Sequence, residues 1–459
     1  MNRQAPFRPF RPFRAFRSHR STNIDIATGW HYPLAALALI SLPAHADDGR
    51  QMPAEALEEA PLAVSSASAA SPVNAVRWGA AMDDFLTGAL SADPSIERAR
   101  ASIAAAEDGV TAAKWQFGPS PSFSRQLASG IGGYVNVLSI QQPLYTGGLL
   151  SANLSAARTT VRSSEMELRS AQLQLKLKIV QTWADWAKVR GRIDSLEALR
   201  AEHQQLLEMI RRRNQAGVAT NADAALAASR LSAVQAEMAQ ARLEEALQRD
   251  RLQRLARRPV DDALRVVLDG ELPAPPALNQ VLDRIQLSPE MAIARANVDL
   301  YRDELTKAKA ALLPTVSLRM DRQSGAYKDD RIGVVIQAGL PGGLSALSGV
   351  NAARSRIAAA EAAVAATEQD QLSNYQLEYT RHAAAVASLR NAELTASTGD
   401  EVLASYRRQF DAGKRAWLDL LNMVREAHTT RQSQRDAAID ERAGLYRLHL
   451  LLDGAPALD

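Results

Sequence analysis

The sequence contains no cysteine, and aromatic residues account for only 5% of its 459 positions. The lack of cysteine excludes disulfides, thiolate metal sites, a cysteine nucleophile and a lipid anchor on an N-terminal cysteine. The scarcity of aromatic residues in a chain that is 46% hydrophobic and rich in alanine, leucine and arginine favours long helices packed closely side by side.

Long apolar runs are also absent after the N-terminus. The one candidate, residues 33–42, follows an arginine-rich start and precedes Ala44-His45-Ala46, which fits a signal-peptidase site. About 10 apolar residues cannot cross a bilayer as a helix, which argues against a membrane anchor. We therefore expect residues 1–46 to be a cleaved signal peptide and residues 47–75 to be a flexible lead-in. Any membrane crossing in the remaining chain would need strands.

The excess of positive charge belongs to this N-terminal segment. Residues 1–46 hold six of the 54 basic residues and one of the 51 acidic residues, so the remaining chain has 48 basic and 50 acidic residues. A nucleic-acid binder would keep its basic balance after processing. The charge pattern therefore argues against nucleic acid as a partner.

The motifs of catalysis and cofactor binding are missing as well. The glycine pairs are not followed by the Lys-Ser/Thr of a phosphate loop, and no G-x-S-x-G nucleophile motif occurs. The histidines beyond residue 46 are scattered without metal-ligand spacing: His203, His382, His428 and His449. We expect no enzyme activity, no cofactor and no metal site.

What the chain does contain is an internal duplication. At an offset of 195 residues, short motifs of the first half recur in the second, and after one inserted residue the offset becomes 196. The matches include Ala99-Arg100-Ala101 with Ala294-Arg295-Ala296, Gly147-Gly148 with Gly342-Gly343, Gly217 with Gly413, and Asp223 with Asp419. We predict a first repeat over residues 76–257, a second over residues 288–453, and an equatorial segment at residues 258–287 between them.

Each repeat has a long stretch without proline, residues 144–258 and 342–455. Because proline breaks helix interiors, its absence together with three/four apolar spacing predicts long helices. Gly217 and Gly413 are the positions where the chain can turn back. This predicts helical hairpins over residues 149–257 and 345–452, each with a first arm of about 68 residues, or ~100 Å.

Four short segments alternate between polar and apolar residues with a period of two. They are residues 121–127, 134–141, 314–321 and 331–340. Their lengths suit tilted membrane strands, although periodicity alone equally allows a small soluble sheet. Four strands cannot close a barrel in lipid, so a membrane location requires a dimer or a higher oligomer.

The duplication, the corner Gln142-Pro143-Leu144-Tyr145-Thr146-Gly147-Gly148 and the turn Asn214-Gln215-Ala216-Gly217 together resemble the TolC family of outer-membrane efflux and secretion ducts. The resemblance covers residues 75–453. It implies a mainly α fold with a small β portion, assembled as a homotrimer with a twelve-strand barrel in the outer membrane and a helical tunnel in the periplasm. It also implies partners: a periplasmic adaptor, an inner-membrane transporter, the exported substrate and outer-membrane lipid.

The resemblance further implies a closed entrance at the tips Gly217 and Gly413. Asp419 matches an acidic gate residue of the family, and Asn422 stands where relatives carry a second acid. Arg415 matches a basic latch residue and Asp223 its acidic partner. Phe410 replaces a tyrosine, so that one latch hydrogen bond is expected to be missing. An acidic residue in the first turn of a helix can equally act as a simple cap for the dipole.

Corner residues are expected where each strand pair meets its long helix. They are Pro143, Gly147 and Gly148 in the first repeat, and Pro341, Gly342 and Gly343 in the second, where the corner departs from the fuller family pattern.

Three functions remain open from the sequence. The passage from His203 to Leu231, with Arg211-Arg212-Arg213-Asn214-Gln215-Ala216-Gly217 before the turn, resembles secretion-type ducts that serve ABC exporters and pass large proteins such as RTX-type toxins or adhesins. The alternatives are a duct for multidrug or metal efflux and, less favoured, a soluble periplasmic coiled-coil adaptor.

Overall fold

The computed structural model describes residues 80–128, 133–261, 264, 274–326, 328–339, 343 and 345–453. The expected signal peptide and lead-in, and the corner residues Pro341 and Gly342, lie outside these ranges.

The described chain is mainly helical with one small sheet, as the sequence indicates. The elements are α1 (Ala80–Ala92), α2 (Pro94–Trp115), β1 (Ser120–Ala128), β2 (Gly133–Tyr145), α3 (Leu149–Gln215), α4 (Asn221–Ala256), α5 (Leu278–Asp283), α6 (Pro289–Ala310), β3 (Thr315–Gly325), β4 (Asp329–Gln337), α7 (Ser345–Asp411) and α8 (Trp417–Asp453). The order from α2 to α4 recurs from α6 to α8, so the duplication of the sequence is also a duplication of structure.

The two repeats use the same local signals to start their helices. Asp93 caps α2 by accepting a hydrogen bond from the Ser95 amide at 2.7 Å, and Ser288 caps α6 by accepting one from the Met291 amide at 3.3 Å. A proline follows each cap, where its missing amide hydrogen costs nothing. The arms α3 and α7 each have 67 residues, which corresponds to ~100 Å.

In the part of the chain that the structure describes, no helix is both long enough and apolar enough to cross a bilayer.

The four strands form one antiparallel sheet in the order β1-β2-β3-β4. The central pair joins the two repeats, with Ser139 opposite Asp321 and Ile140 opposite Met320. β2 extends beyond the expected residue 141 because a bulge between Pro143 and Tyr145 accommodates the proline, which has no amide hydrogen for the ladder. β1 and β4 are the outer strands, and each pairs with one neighbour.

The first core, which we call the hub cluster, packs together α1, the equatorial residues, the middles of α3 and α7, and the C-terminal ends of α4 and α8. Trp183 and Trp186 of α3 are its largest fully buried side chains. The Trp183 indole donates a hydrogen bond to the Leu264 carbonyl at 3.2 Å, and its ring lies 6.0 Å from that of Tyr446. The hub cluster therefore fixes both hairpins to the segment that connects the repeats.

A second core, the hairpin cluster, continues along the hairpins toward their tips. Its members include Leu196 of α3, Val234 of α4, Leu403 of α7 and Val424 of α8. All four long helices contribute, so the two hairpins pack on each other and bring their tips together.

The corner between β2 and α3 requires glycine. Gly147 has a φ of 64°, and a Cβ there would lie 2.9 Å from the Cβ of Leu313, three residues after the end of α6 in the second repeat. A larger residue would be strained and would also push the two repeats apart.

Candidate functional site at the hairpin tips

The two tips, residues 213–224 and 409–420, have the same backbone geometry. Gly217 and Gly413 adopt left-handed conformations with φ of 75° and 71°. The Val218 amide donates to the Arg213 carbonyl at 2.8 Å, and the Lys414 amide donates to the Gln409 carbonyl at 2.9 Å. Such bonds close a helix at a left-handed glycine, so each arm ends where the sequence places the turn.

The second arm of the first hairpin begins with a capping box. The Thr220 hydroxyl accepts a hydrogen bond from the Asp223 amide at 3.1 Å, and the Asp223 carboxylate accepts one from the Thr220 amide at 3.0 Å. The bonds from Thr220, together with one from Trp417, lower the pKa of the Asp223 carboxyl below its usual value. Asp223 is therefore a helix cap, as its position in the first turn indicates.

Asp223 also joins the two hairpins. The Trp417 indole nitrogen, in the first turn of α8, donates a hydrogen bond to Asp223 Oδ1 at 2.9 Å. Sequence reasoning assigned no role to Trp417. The sequence does mark Trp417 in one way, because it breaks the duplication. The equivalent position of the first repeat holds Asn221 instead of an aromatic residue.

Arg415 has partners within its own hairpin. Its guanidinium lies 3.3 Å from the Asp419 carboxylate one turn later, and it stacks 3.7 Å from the centre of the Tyr406 ring. In the protomer, the structure thus brings Arg415 to Asp419 and Asp223 to Trp417, and it does not join Arg415 to Asp223. Arg415 lies two residues before the start of α8, so its contact with Asp419, four residues later, is local and does not depend on the neighbouring hairpin.

Phe410 provides a second link between the hairpins. Its side chain is buried, and the Arg213 guanidinium of α3 lies 4.1 Å above the ring centre. Phe410 therefore makes a cation–π contact with Arg213, at the position where the family resemblance implies that a tyrosine hydrogen bond is missing. Asn422 is exposed, one turn beyond Asp419.

The remaining predicted residues lie at the corners between sheet and helices. Pro143 is at the bulge of β2, Gly148 precedes α3 with a φ of 93°, and Gly343 precedes α7 with a φ of 64°.

Histidines that appear scattered in the sequence are paired in space. In addition to the effect of burial, His428 of α8 is close enough for its charge to lower the pKa of His203 of α3, and His382 of α7 likewise lowers the pKa of His449 of α8. Burial lowers the pKa of His203, followed by the nearby positive charges of Arg230, His428 and Arg425. Burial also lowers the pKa of His428, partly opposed by Glu237. Both imidazoles are therefore neutral at pH 7.

The His203 pair predicts a loss of stability in acid. Because the folded protein lowers the pKa of His203 below the ordinary value of 6.5, the unfolded chain binds more protons as pH falls, and folding stability falls with it. Thermal unfolding followed by circular dichroism should give a lower midpoint at pH 5.5 than at pH 7.5. His203→Leu should reduce this difference, and an unchanged difference would contradict the assignment.

The sheet presents two chemically different faces. One face carries hydrogen-bonded polar residues: the Ser139 hydroxyl donates to the Asp321 carboxylate at 2.5 Å, and the Gln141 amide donates to the Ser317 hydroxyl at 3.1 Å. The other face is apolar and exposed. Its side chains include Phe123, Leu127, Tyr134, Leu138, Ile140, Leu318, Met320, Ile332, Val334 and Ile336.

Comparisons with known proteins agree with this architecture. Residues 86–256 and 282–452 match the model of a family described as "Outer membrane efflux protein". The chain is 23% identical over 330 residues to the alkaline protease secretion protein AprF of Pseudomonas aeruginosa, covering 69% of this chain and 68% of that protein. It is 23% identical over 322 residues to the proteases secretion protein PrtF of Dickeya chrysanthemi, covering 65% of this chain and 68% of that protein.

Among solved structures, the outer membrane protein VceC of Vibrio cholerae superposes with a TM-score of 0.69. The match covers 82% of this chain and 96% of that one at 17% identity, which shows a shared fold.

Proposed function

Because the chain belongs to the outer membrane efflux protein family, we propose that it is the exit duct of a type I secretion system and that its cargo is a secreted protein. Membership makes it an outer-membrane channel and not an enzyme. It also sets aside the alternative of a soluble adaptor. Within the family, the resemblance to two protease secretion proteins over about two thirds of their lengths supports protein cargo over small molecules. Proteases and RTX-type toxins or adhesins belong to the proposed cargo class.

Deleting the gene tests whether the exported cargo is a protein or a small molecule. We expect the culture supernatant to lose one or a few large proteins, and a plasmid copy of the gene to restore them. Resistance to drugs and metals should stay unchanged. Raised drug or metal sensitivity with normal protein secretion would instead support the efflux alternative.

The duct is proposed to be a homotrimer with a twelve-strand barrel. The outer edges of β1 and β4 are available to pair with other copies, and unpaired edges are not tolerated in lipid. Large apolar side chains also remain exposed on α4 and α7, the helices that would meet neighbouring copies. They are Leu243 and Leu247 on α4 and Leu372, Leu377, Val386 and Leu394 on α7.

The two faces of the sheet support its orientation in the proposed barrel. Val334 and Val335 are neighbours on β4: Val334 is 60% exposed on the apolar face, and Val335 lies on the opposite face. An arginine facing the middle of the bilayer costs about 2–4 kcal/mol. Val334→Arg should therefore reduce the amount of heat-stable trimer in outer-membrane fractions, and Val335→Arg should reduce it much less. Equal losses in both variants would argue against this orientation.

The hairpin tips are proposed as the entrance that adaptor and ABC transporter open. Contacts between hairpins of the same protomer, Trp417 to Asp223 and Arg213 to Phe410, support a latch, because an opening that separates the hairpins would have to break them. Asp419 and Asn422 are proposed to lie at the narrowest ring of the entrance, with Arg415 held beside Asp419.

A further inference from the structure

The hairpin ends, which we define as residues 207–224 and 404–420, carry an excess of positive charge. They contain seven arginines or lysines against four acidic residues, and the excess lies in the last turns of α3 and α7, since the tips themselves hold three residues of each sign. The contacts of Trp417 with Asp223 and of Arg213 with Phe410 hold the ends of the two hairpins side by side. These charges therefore belong to one end of the protomer, and in a trimer they would be repeated around the axis.

One acidic residue at this end is offset by an ion pair: the Asp419 carboxylate lies 3.3 Å from the Arg415 guanidinium. The Asp223 carboxylate accepts hydrogen bonds from the neutral Thr220 and Trp417, which hold it in place and leave its negative charge. The second acid expected from the resemblance is the neutral Asn422. The ring at the narrowest point is therefore much less negative than two unpaired acids per protomer would make it.

The basic side chains, by contrast, are largely unpaired. Arg211, Arg212, Arg408 and Lys414 are exposed, and no described side chain forms an ion pair with any of them. Glu208 and Asp411 are the exposed acids of the same region. Arg407 pairs with Glu202 and so adds little to the excess.

We propose that the hairpin ends form an anion-favouring entrance, through which acidic polypeptide segments pass more readily than basic ones. This inference rests on the proposed function as a duct whose entrance lies at the tips. A narrow opening between low-dielectric walls focuses the field of its charges. Rings of arginine and lysine favour anions in pores, as rings of aspartate and glutamate favour cations.

The test is the reversal potential of the purified full-length trimer in planar bilayers under a KCl gradient. We expect a reversal potential whose sign shows that chloride permeates more readily than potassium. The double variant Arg212→Gln/Lys414→Gln should shift the potential toward potassium preference. The control Arg98→Gln/Arg251→Gln removes the same charge from exposed positions on α2 and α4, outside the tip segments, and should leave the potential close to that of the unmodified protein.

Two results would overturn the inference. One is potassium preference in the unmodified channel, and the other is an equal shift in the tip variant and the control. Trimer yield and single-channel conductance show whether each variant is assembled. If the unmodified trimer forms no channel, the duct function itself fails, which is distinguishable from a channel with the opposite selectivity.

Discussion

Asp223→Ala is expected to loosen the entrance more than any other single substitution at the tips, because it removes two interactions at once. The Asp223 carboxylate completes the capping box of α4 with Thr220, and it accepts the hydrogen bond from the Trp417 indole that joins the hairpins. Single-channel recordings in planar bilayers should show a higher conductance or more frequent openings than the unmodified channel.

Two further variants separate the roles of Asp223. Thr220→Ala removes the hydroxyl of the capping box and leaves the bond to Trp417, so it should destabilise the start of α4 with little effect on conductance. Trp417→Phe retains an aromatic ring and loses the indole donor, so it should favour the open tips on the order of threefold to tenfold. Adding Trp417→Phe to Asp223→Ala should produce no further increase, since the bond is already lost.

The latch can also be tested by acidification. The folded tip lowers the pKa of Asp223 below 3.8, so its hydrogen bonds persist at neutral pH and are lost only as pH falls through that lowered value. A rise in conductance between pH 7 and pH 5 would then originate from other groups, such as the buried histidines. The latch would be refuted if Asp223→Ala and Trp417→Phe both conduct like the unmodified channel.

The largest expected loss of stability comes from Trp183→Ala. Trp183 is 0% exposed in the hub cluster, where its indole bonds to the Leu264 carbonyl and its ring lies near Tyr446. Removing a fully buried tryptophan costs about 3–5 kcal/mol through lost burial and the cavity left behind. Denaturant unfolding in detergent, followed by circular dichroism, should show the loss directly.

Two controls make this prediction specific. Trp183→Phe fills most of the space and loses one hydrogen bond, at a cost nearer 1 kcal/mol. Trp115→Ala removes the same side chain from a position that is 76% exposed, and it should change the unfolding free energy little. A Trp183→Ala variant no less stable than Trp115→Ala would show that the hub cluster does not depend on this residue.

Features that repeat over short windows could be predicted from the sequence. The absence of proline and the three/four spacing predicted the long helices, alternation indicated strands, and the matched motifs revealed the duplication. Family comparison confirms the resemblance to outer-membrane ducts. The helices and strands follow from the backbone preferences and burial pattern of neighbouring residues, and the duplication follows from matching one half of the chain with the other, so the sequence carries this information without any tertiary contact.

The partners of individual side chains depended on the tertiary structure. Trp417 and Asp223 are 194 residues apart, and the bond between them exists because two helical hairpins pack in one particular rotation and register. The same packing pairs His203 with His428 and places Arg213 over Phe410. From sequence alone, Arg415 could equally have paired across hairpins or with Asp419 one turn away. A helix of ~100 Å leaves its rotation about the axis free until packing fixes it, and that rotation decides which side chains meet at the tips.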